Sequence, residues 1–316
     1  MPPVSNVTVI NTEPKQKKKF IPSKKVAVMG KTYMAYVYLL PVFIFLGIFT
    51  YYAMAYNFQV SLYKWDGVSS KKVFVGLQNY ANLFSDTFFT GSLKNTAIFF
   101  LTTIPIQAVL GFTIANLLRK KLSLGKITRT IVFLPNIMSL VVIGYVFSQM
   151  YNYHVGFLNE ILRSMGLDSL AMDWTGDPKF ALYSVIFANI YTYVGFSMTL
   201  YISGMLGIGK DITEAALIDG ATGWKTIKYI DLPLLLSTHV TIVILGIVGT
   251  LKTFDIVWLI TKGGPSRSSD MLATFLYRSY ILEYKAGYAA AVAVIILFIA
   301  LVMSVCNLYI QRRNTI

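Results

Sequence analysis

The sequence predicts an all-α membrane protein with six transmembrane helices and both termini in the cytoplasm. Three observations carry that expectation. Of 316 residues, 55% are hydrophobic and 13% are charged, against about 25% charged in an ordinary soluble domain. Six stretches are apolar over the length of about 20 residues that a bilayer crossing needs. Lysine and arginine crowd the segments on one side of those stretches, the pattern of cytoplasmic loops.

Taken in order, residues 1–31 form a basic tail with Lys15, Lys17, Lys18, Lys19, Lys24, Lys25 and Lys31. Pro2, Pro3, Pro14 and Pro22 discourage regular structure, so a disordered cytoplasmic tail near anionic lipid is expected. Gly30-Lys31-Thr32 looks like the end of a phosphate-binding loop. That motif needs glycine where Lys25 stands, and no strand precedes it, so nucleotide binding is not expected. Residues 32–316 are expected to form one transmembrane domain. The spans fall at about 33–56, 93–118, 130–150, 180–204, 234–260 and 287–310. Pro41, Pro105 and Pro135 lie within the first three, which neighbouring helices tolerate. The first run is too long for a cleavable leader, so it is read as a retained span. Cys306, the single cysteine, excludes an intrachain disulfide and is expected to pack inside the last span.

Six spans put both ends on one side. The tail and Arg119, Lys120 and Lys121 make that side the cytoplasm. Acidic residues lean the other way, which the rule discounts. The polar stretch 205–233 therefore faces the cytoplasm. Within it, Asp211 is suited to cap a helix with Glu214 three residues on. Residues Glu214 to Ile218 favour helix, and Gly220 suits the left-handed position that ends one. Thr222 is placed to cap a second short helix, with Pro233 marking its far end. Helices this short are marginal in water, so a partner is expected to grip them.

This stretch resembles the cytoplasmic EAA loop of ABC-importer permeases of the carbohydrate-uptake type. The match covers Glu214, Ala215, Ala216, Asp219, Gly220, Ala221, Ile230, Leu232 and Pro233. Phe74-Val75-Gly76-Leu77-Gln78-Asn79-Tyr80, then Ser92-Leu93-Lys94-Asn95-Thr96, resemble the outer segment of the same family. So does Thr261-Lys262-Gly263-Gly264-Pro265 with Tyr277 beyond it. The resemblance runs from about Tyr33 to the end and implies a type I ABC importer permease fold. It also implies a sugar substrate, a second homologous permease subunit, two ATPase subunits and an extracellular binding protein. ATP and magnesium would be held by the ATPases, with no cofactor on this chain and no nucleic-acid partner. The location implied is the cell membrane of a prokaryote. Glu214, Ala215, Ala216, Asp219, Gly220, Ala221 and Pro233 would form the coupling surface, with Asp219 pairing to a nearby base.

Candidates for the substrate path come from polar residues inside spans, which are costly unless used. Asn189, Tyr193, Phe196 and Ser197 fall on one stripe of the fourth span, where an amide beside an aromatic ring suits a neutral sugar. Helix packing is the competing reading of the same stripe. Lys252 and Asp255 lie three apart on the fifth span, hence on one helical face. Asp255 is expected about 12 Å from the span midpoint, either paired with Lys252 or accepting two substrate hydroxyls. Thr250 and Thr253 offer hydroxyls beside it, unless each bonds back to its own helix. No arginine cluster in the spans points to an anionic ligand. His154 and His239 are isolated, and no metal, redox or hydrolase motif is present, so an enzyme is not expected. The alternative is an ion-coupled secondary transporter, which calls for more buried carboxylates and an inverted repeat than the sequence shows.

Overall fold

The computed structural model describes residues 24–119 and 125–314. Most of the expected basic tail, and Lys120 and Lys121, lie outside them. Residues 24–31 belong not to a disordered tail but to a helix, α1 (Lys24–Leu46). Two units are distinguished, the first ending at Ala55. In the first, α1 runs through Pro41 and continues as a π-helical turn, Gly47–Tyr52. The next helix, α2 (Ala53–Ser61), leads into the second unit.

The second unit departs from all-helical structure in one small hairpin, β1 (Tyr63–Lys64) against β2 (Val73–Phe74), paired Tyr63 to Phe74. Helix α3 (Gln78–Ser85) follows, then the long α4 (Thr87–Arg119). The third predicted span is not straight. It comprises α5 (Gly125–Ile137) and α6 (Leu140–Met150), which meet at 94°. Ser139 is extended, and its hydroxyl accepts from the Val141 amide at 3.3 Å, capping α6. This is how a sharp bend keeps its backbone satisfied. Helix α7 (Phe157–Ser164) and the 3-10 turn Asp168–Leu170 precede α8 (Ala181–Leu206). After α8 come α9 (Lys210–Ile218), α10 (Trp224–Thr226), a π turn (Ile227–Asp231) and α11 (Leu232–Leu234).

The fifth predicted span is also interrupted. Helix α12 (Leu236–Lys252) stops, Thr253 is extended, and α13 (Asp255–Ile260) starts anew. Helix α14 (Leu272–Tyr277), a further π turn (Arg278–Leu282) and α15 (Ala286–Asn314) complete the chain. Four helices among the described residues are long and apolar enough to cross a membrane, and six if each of two bent pairs is one span.

Apolar attraction between spans is weak in lipid, so close backbone approach at small residues holds them together. A Cβ on Gly111 of α4 would meet the Met198 amide nitrogen and Ser197 Cβ of α8 at 2.8 Å. One on Gly195 of α8 would lie 2.3 Å from the Val132 carbonyl of α5. Interlocked cores flank this contact. Phe99, Phe147, Val185 and Val257 are buried in one, and Leu83, Phe89, Phe275 and Val292 in another. A third joins Met198, Tyr201, Leu235 and Ile242. Cys306, expected to pack, is exposed.

Two asparagines of the motifs that lead into the second span act as pegs. The Asn79 amide donates to the Ser61 and Tyr63 carbonyls at 2.8 and 3.0 Å. The Asn95 amide donates to the Ser268 and Asp270 carbonyls at 2.8 and 2.9 Å. The loop that Asn95 pins has left-handed backbone at Lys262, Gly263, Ser266 and Arg267, and a cis bond before Pro265. The Asp270 carboxylate beneath it is fully buried, accepts from Thr274 Oγ1 at 2.6 Å and lies 3.6 Å from Arg278 Nε. That distance allows attraction but no hydrogen bond. Burial pushes the Asp270 carboxyl up, against the pull of Thr274, Arg278 and Arg267.

Candidate functional site: a cavity between spans and an exposed elbow

Helices α4, α8 and α12, with Asn136 from α5, enclose a cavity of about 260 Å³. Its wall includes Asn189, Tyr193, Phe196, Ser197, Thr250 and Thr253, six of the seven residues expected along a substrate path. The stripe on α8, Thr250 of α12 and Thr253 just past its end thus face one space. Sequence reasoning missed Gln107 on α4 and Asn136. Gln107 Nε2 donates to Asn189 Oδ1 at 3.0 Å and to its carbonyl at 3.3 Å, which fixes the orientation of the Asn189 amide. A buried glutamine within a proline-containing span was a signal for it.

Among the described residues, the Tyr193 hydroxyl, the Ser197 hydroxyl, the Thr250 hydroxyl and the Asn136 amide form no side-chain hydrogen bond to protein. Buried polar groups ordinarily find partners, so these are available to a polar guest. Thr253 instead bonds back to the Gly249 carbonyl at 2.9 Å, as its alternative reading anticipated. Among the described residues, no carboxylate, lysine, arginine or histidine lines the cavity.

Asp255 is not among the lining residues. It is exposed at the start of α13. The break at Thr253 and Phe254 lies between Lys252 and Asp255. They therefore do not share one helical face, and no ion pair forms between them among the described residues. Around the break, Phe254 stacks on Trp258 with ring centroids 5.7 Å apart, and both rings meet Tyr277 at 4.9 Å.

The second candidate is the elbow between α8 and α12. Its first arm is α9, started by Gly209 rather than capped by Asp211, which lies in the first turn. Asp219 ends the arm and Gly220 follows with φ of 75°, the left-handed conformation expected of it. Gly223, also left-handed, starts the second arm instead of Thr222. The Thr226 hydroxyl ties back to the Ala221 carbonyl at 2.6 Å. Pro233 does not end this arm. It lies within α11, one residue before a 64° bend into α12.

Glu214, Ala215, Asp219 and Gly220 are exposed, Ala221 is half-buried and Ala216 is buried. Asp219 has no cationic partner among the described residues. The carboxylate that does is Asp231, whose Oδ1 lies 2.6 Å from Arg119 Nη1. Ile218 is 87% exposed and Trp224 71% exposed. These two large apolar side chains flank the exposed Gly220, where the polar loop leaves them uncovered.

Residues 107–316 match the family described as binding-protein-dependent transport system inner membrane component. A probable ABC transporter permease protein of Pyrococcus horikoshii is 36% identical over 272 residues, covering 86% of this chain and 93% of the relative. The lactose transport system permease protein LacF of Rhizobium radiobacter is 30% identical over 283 residues, covering 88% and 94%. Among solved structures, the bacterial alginate ABC transporter in complex with alginate pentasaccharide-bound periplasmic protein shares the fold. Its TM-score is 0.78, with 23% identity, 93% of this chain covered and 99% of that chain. A cavity of uncharged side chains between spans, a helical elbow between α8 and α12 and these matches lead to one assignment: the chain belongs to the family of binding-protein-dependent transport system inner membrane components.

Proposed function

We propose that this chain is one of two homologous permease subunits of an ABC importer and forms half of a pathway for a neutral oligosaccharide. An extracellular binding protein delivers the sugar. Two ATPase subunits, which hold the ATP and magnesium, grip the elbow through Glu214, Ala215, Ala216, Asp219, Gly220, Ala221 and Pro233. The chain lies in a prokaryotic cell membrane with both termini in the cytoplasm.

One observation carries the substrate reading. The cavity sets unbonded hydroxyls and an amide beside Phe196, with no charged group in its wall. A neutral polyol offers hydrogen-bond donors and acceptors together with flat C–H faces, which suits that lining. A relative named for lactose transport supports a sugar. The coupling reading is supported by exposed Ile218 and Trp224, since paired apolar side chains in a polar loop mark a docking surface. ATP-driven approach of the ATPases would displace the elbow, and a rigid arm would pass that displacement to α12. Such coupling requires the ATPases to bind the two elbow positions unequally.

The test is uptake by the assembled transporter in proteoliposomes, across a panel of neutral and acidic oligosaccharides. Tyr193→Phe removes one hydroxyl that bonds no protein group. It is expected to raise the half-saturation concentration about 3–10-fold with basal ATP hydrolysis unchanged. Asp255→Asn, two residues past the cavity-lining Thr253, is expected to shift half-saturation more than basal hydrolysis. Uptake confined to acidic sugars, or wild-type half-saturation in both variants, would sink the neutral-sugar reading.

A further inference from the structure

One buried charge belongs to neither the cavity nor the exposed face of the elbow. Asp231 closes the π turn in the second arm and is 1% exposed. Its carboxylate takes a hydrogen bond from Arg119 Nη1 at 2.6 Å. Arg119 is the last described residue of α4, 112 positions away in sequence. A carboxylate so enclosed is strongly disfavoured unless an opposite charge meets it, so the two positions are held together.

The placement of this pair matters because of what α4 does at its other contacts. The same helix supplies Phe99, Ile104 and Gln107 to the cavity wall. Gln107 and Arg119 are separated by twelve residues, about 18 Å along one helix. The elbow's base is joined to α8 by different means. The Tyr201 hydroxyl meets His239 Nδ1 at 2.7 Å. Gly204 lets Leu235 and Thr238 come so near that a Cβ there would lie 2.7 and 2.4 Å from their side chains. Those contacts bind α8 to α12. Between α4 and the second arm the ion pair is the polar contact among the described residues, while Ala115 and Leu118 of α4 share a buried apolar cluster with Leu235 just past the arm.

We propose that Arg119 and Asp231 are positioning residues that form a strut between the elbow and α4, so that displacement of the elbow moves the Gln107 wall of the cavity together with α12. The proposal rests on the coupling reading of the elbow. Helix α4 also packs on α12, with Ile104 against Gly246, so the strut adds to that packing a fixed link at the arm itself, and without it less of the arm's turn would reach the Gln107 wall.

The experiment compares wild type with Arg119→Met/Asp231→Leu and with Arg119→Lys, each in the assembled transporter in proteoliposomes. It reads sugar imported per ATP hydrolysed, beside melting temperature and ATPase co-purification. Replacing both members of a buried ion pair with apolar groups commonly preserves stability. The double variant is therefore expected to assemble and melt like wild type, yet lose about tenfold in sugar per ATP, within the usual range of coupling between sites. Arg119→Lys keeps a charge at the site and is expected to retain most of the coupling. A wild-type ratio in the double variant, or an equal loss in Arg119→Lys, overturns the strut. Failure of the wild-type chain to co-purify with an ATPase would instead overturn the coupling reading beneath it.

Discussion

At the scale of single residues, the loop between α13 and α15 holds the carboxylates with the clearest pH behaviour. Burial works on Glu283 in the upward direction, but Lys285 at 2.9 Å and Arg267 at 2.5 Å outweigh it and hold the carboxyl below its usual range. A lowered folded value means that its contribution to stability is present above the usual carboxylate range and is lost as pH falls through the folded value. Asp270 acts in the opposite sense. Its raised value means that ionisation costs the folded state, so its contribution declines as pH rises out of the usual range. Glu283→Gln is expected to shrink the drop in melting temperature between pH 6 and pH 3, by about 2 °C for a half-buried pair. Asp270→Asn is expected to enlarge that drop. Melting curves of the purified protein at the two pH values read both, and a change of the same sign in the two variants would contradict the assignment.

At the scale of elements, function is concentrated where helices break. The α5–α6 bend places Asn136 at the cavity, and the stop after Lys252 leaves Thr253 facing inward with Asp255 beyond it. The elbow depends on a different kind of break. Gly220 has φ of 75° and a free surface around it, so its role is conformational rather than packing. Proline is restricted to φ near −65°, so Gly220→Pro forces the two arms out of their present angle. The variant is expected to insert in the membrane and reach normal levels while sugar uptake falls at least about tenfold, the scale of a coupling energy. Normal uptake with normal ATPase assembly would refute a coupling role for the turn. The strut between Arg119 and Asp231 belongs to this scale too, because it makes one rigid piece of two elements that the chain visits far apart.

At the scale of the whole molecule, the proposed orientation ties these parts to their partners. The elbow and the ends of α4 and α8 belong on the ATP side, and the hairpin, α3 and the Asp270 loop on the side that meets a binding protein. Single cysteines test this directly, in a background where the exposed Cys306 is replaced by serine. A cysteine at Thr222 is expected to react with a membrane-impermeant thiol reagent in inside-out vesicles only. One at Ser69 is expected to react in right-side-out cells only. The reverse pattern would place the elbow outside, where no ATPase could reach it.

Local features were legible in the sequence because their physics is local. Span length, the short arms of the elbow and the left-handed Gly220 each follow from residues within one or two helical turns. The α8 stripe was legible as well, since the helical period alone places Asn189, Tyr193 and Ser197 together. Bends inside apolar runs were not, because a hydrophobic stretch reads the same whether it is straight or folded at 94°. Neither was the second arm's start at Gly223, where two residues compete for one role.

What the sequence determined by itself is the class of the protein, its apolar membrane-crossing stretches, the exposed elbow and six of the fifteen residues around the cavity. Tertiary structure alone decided which polar groups meet. Gln107 orients Asn189, Arg119 neutralises Asp231, Asn95 pins the Asp270 loop, and Asp255 stands apart from Lys252. The reason is physical. In an apolar surrounding a polar side chain must find a partner, but which one it finds is fixed by helix crossings between residues far apart in sequence, and no local pattern encodes those crossings.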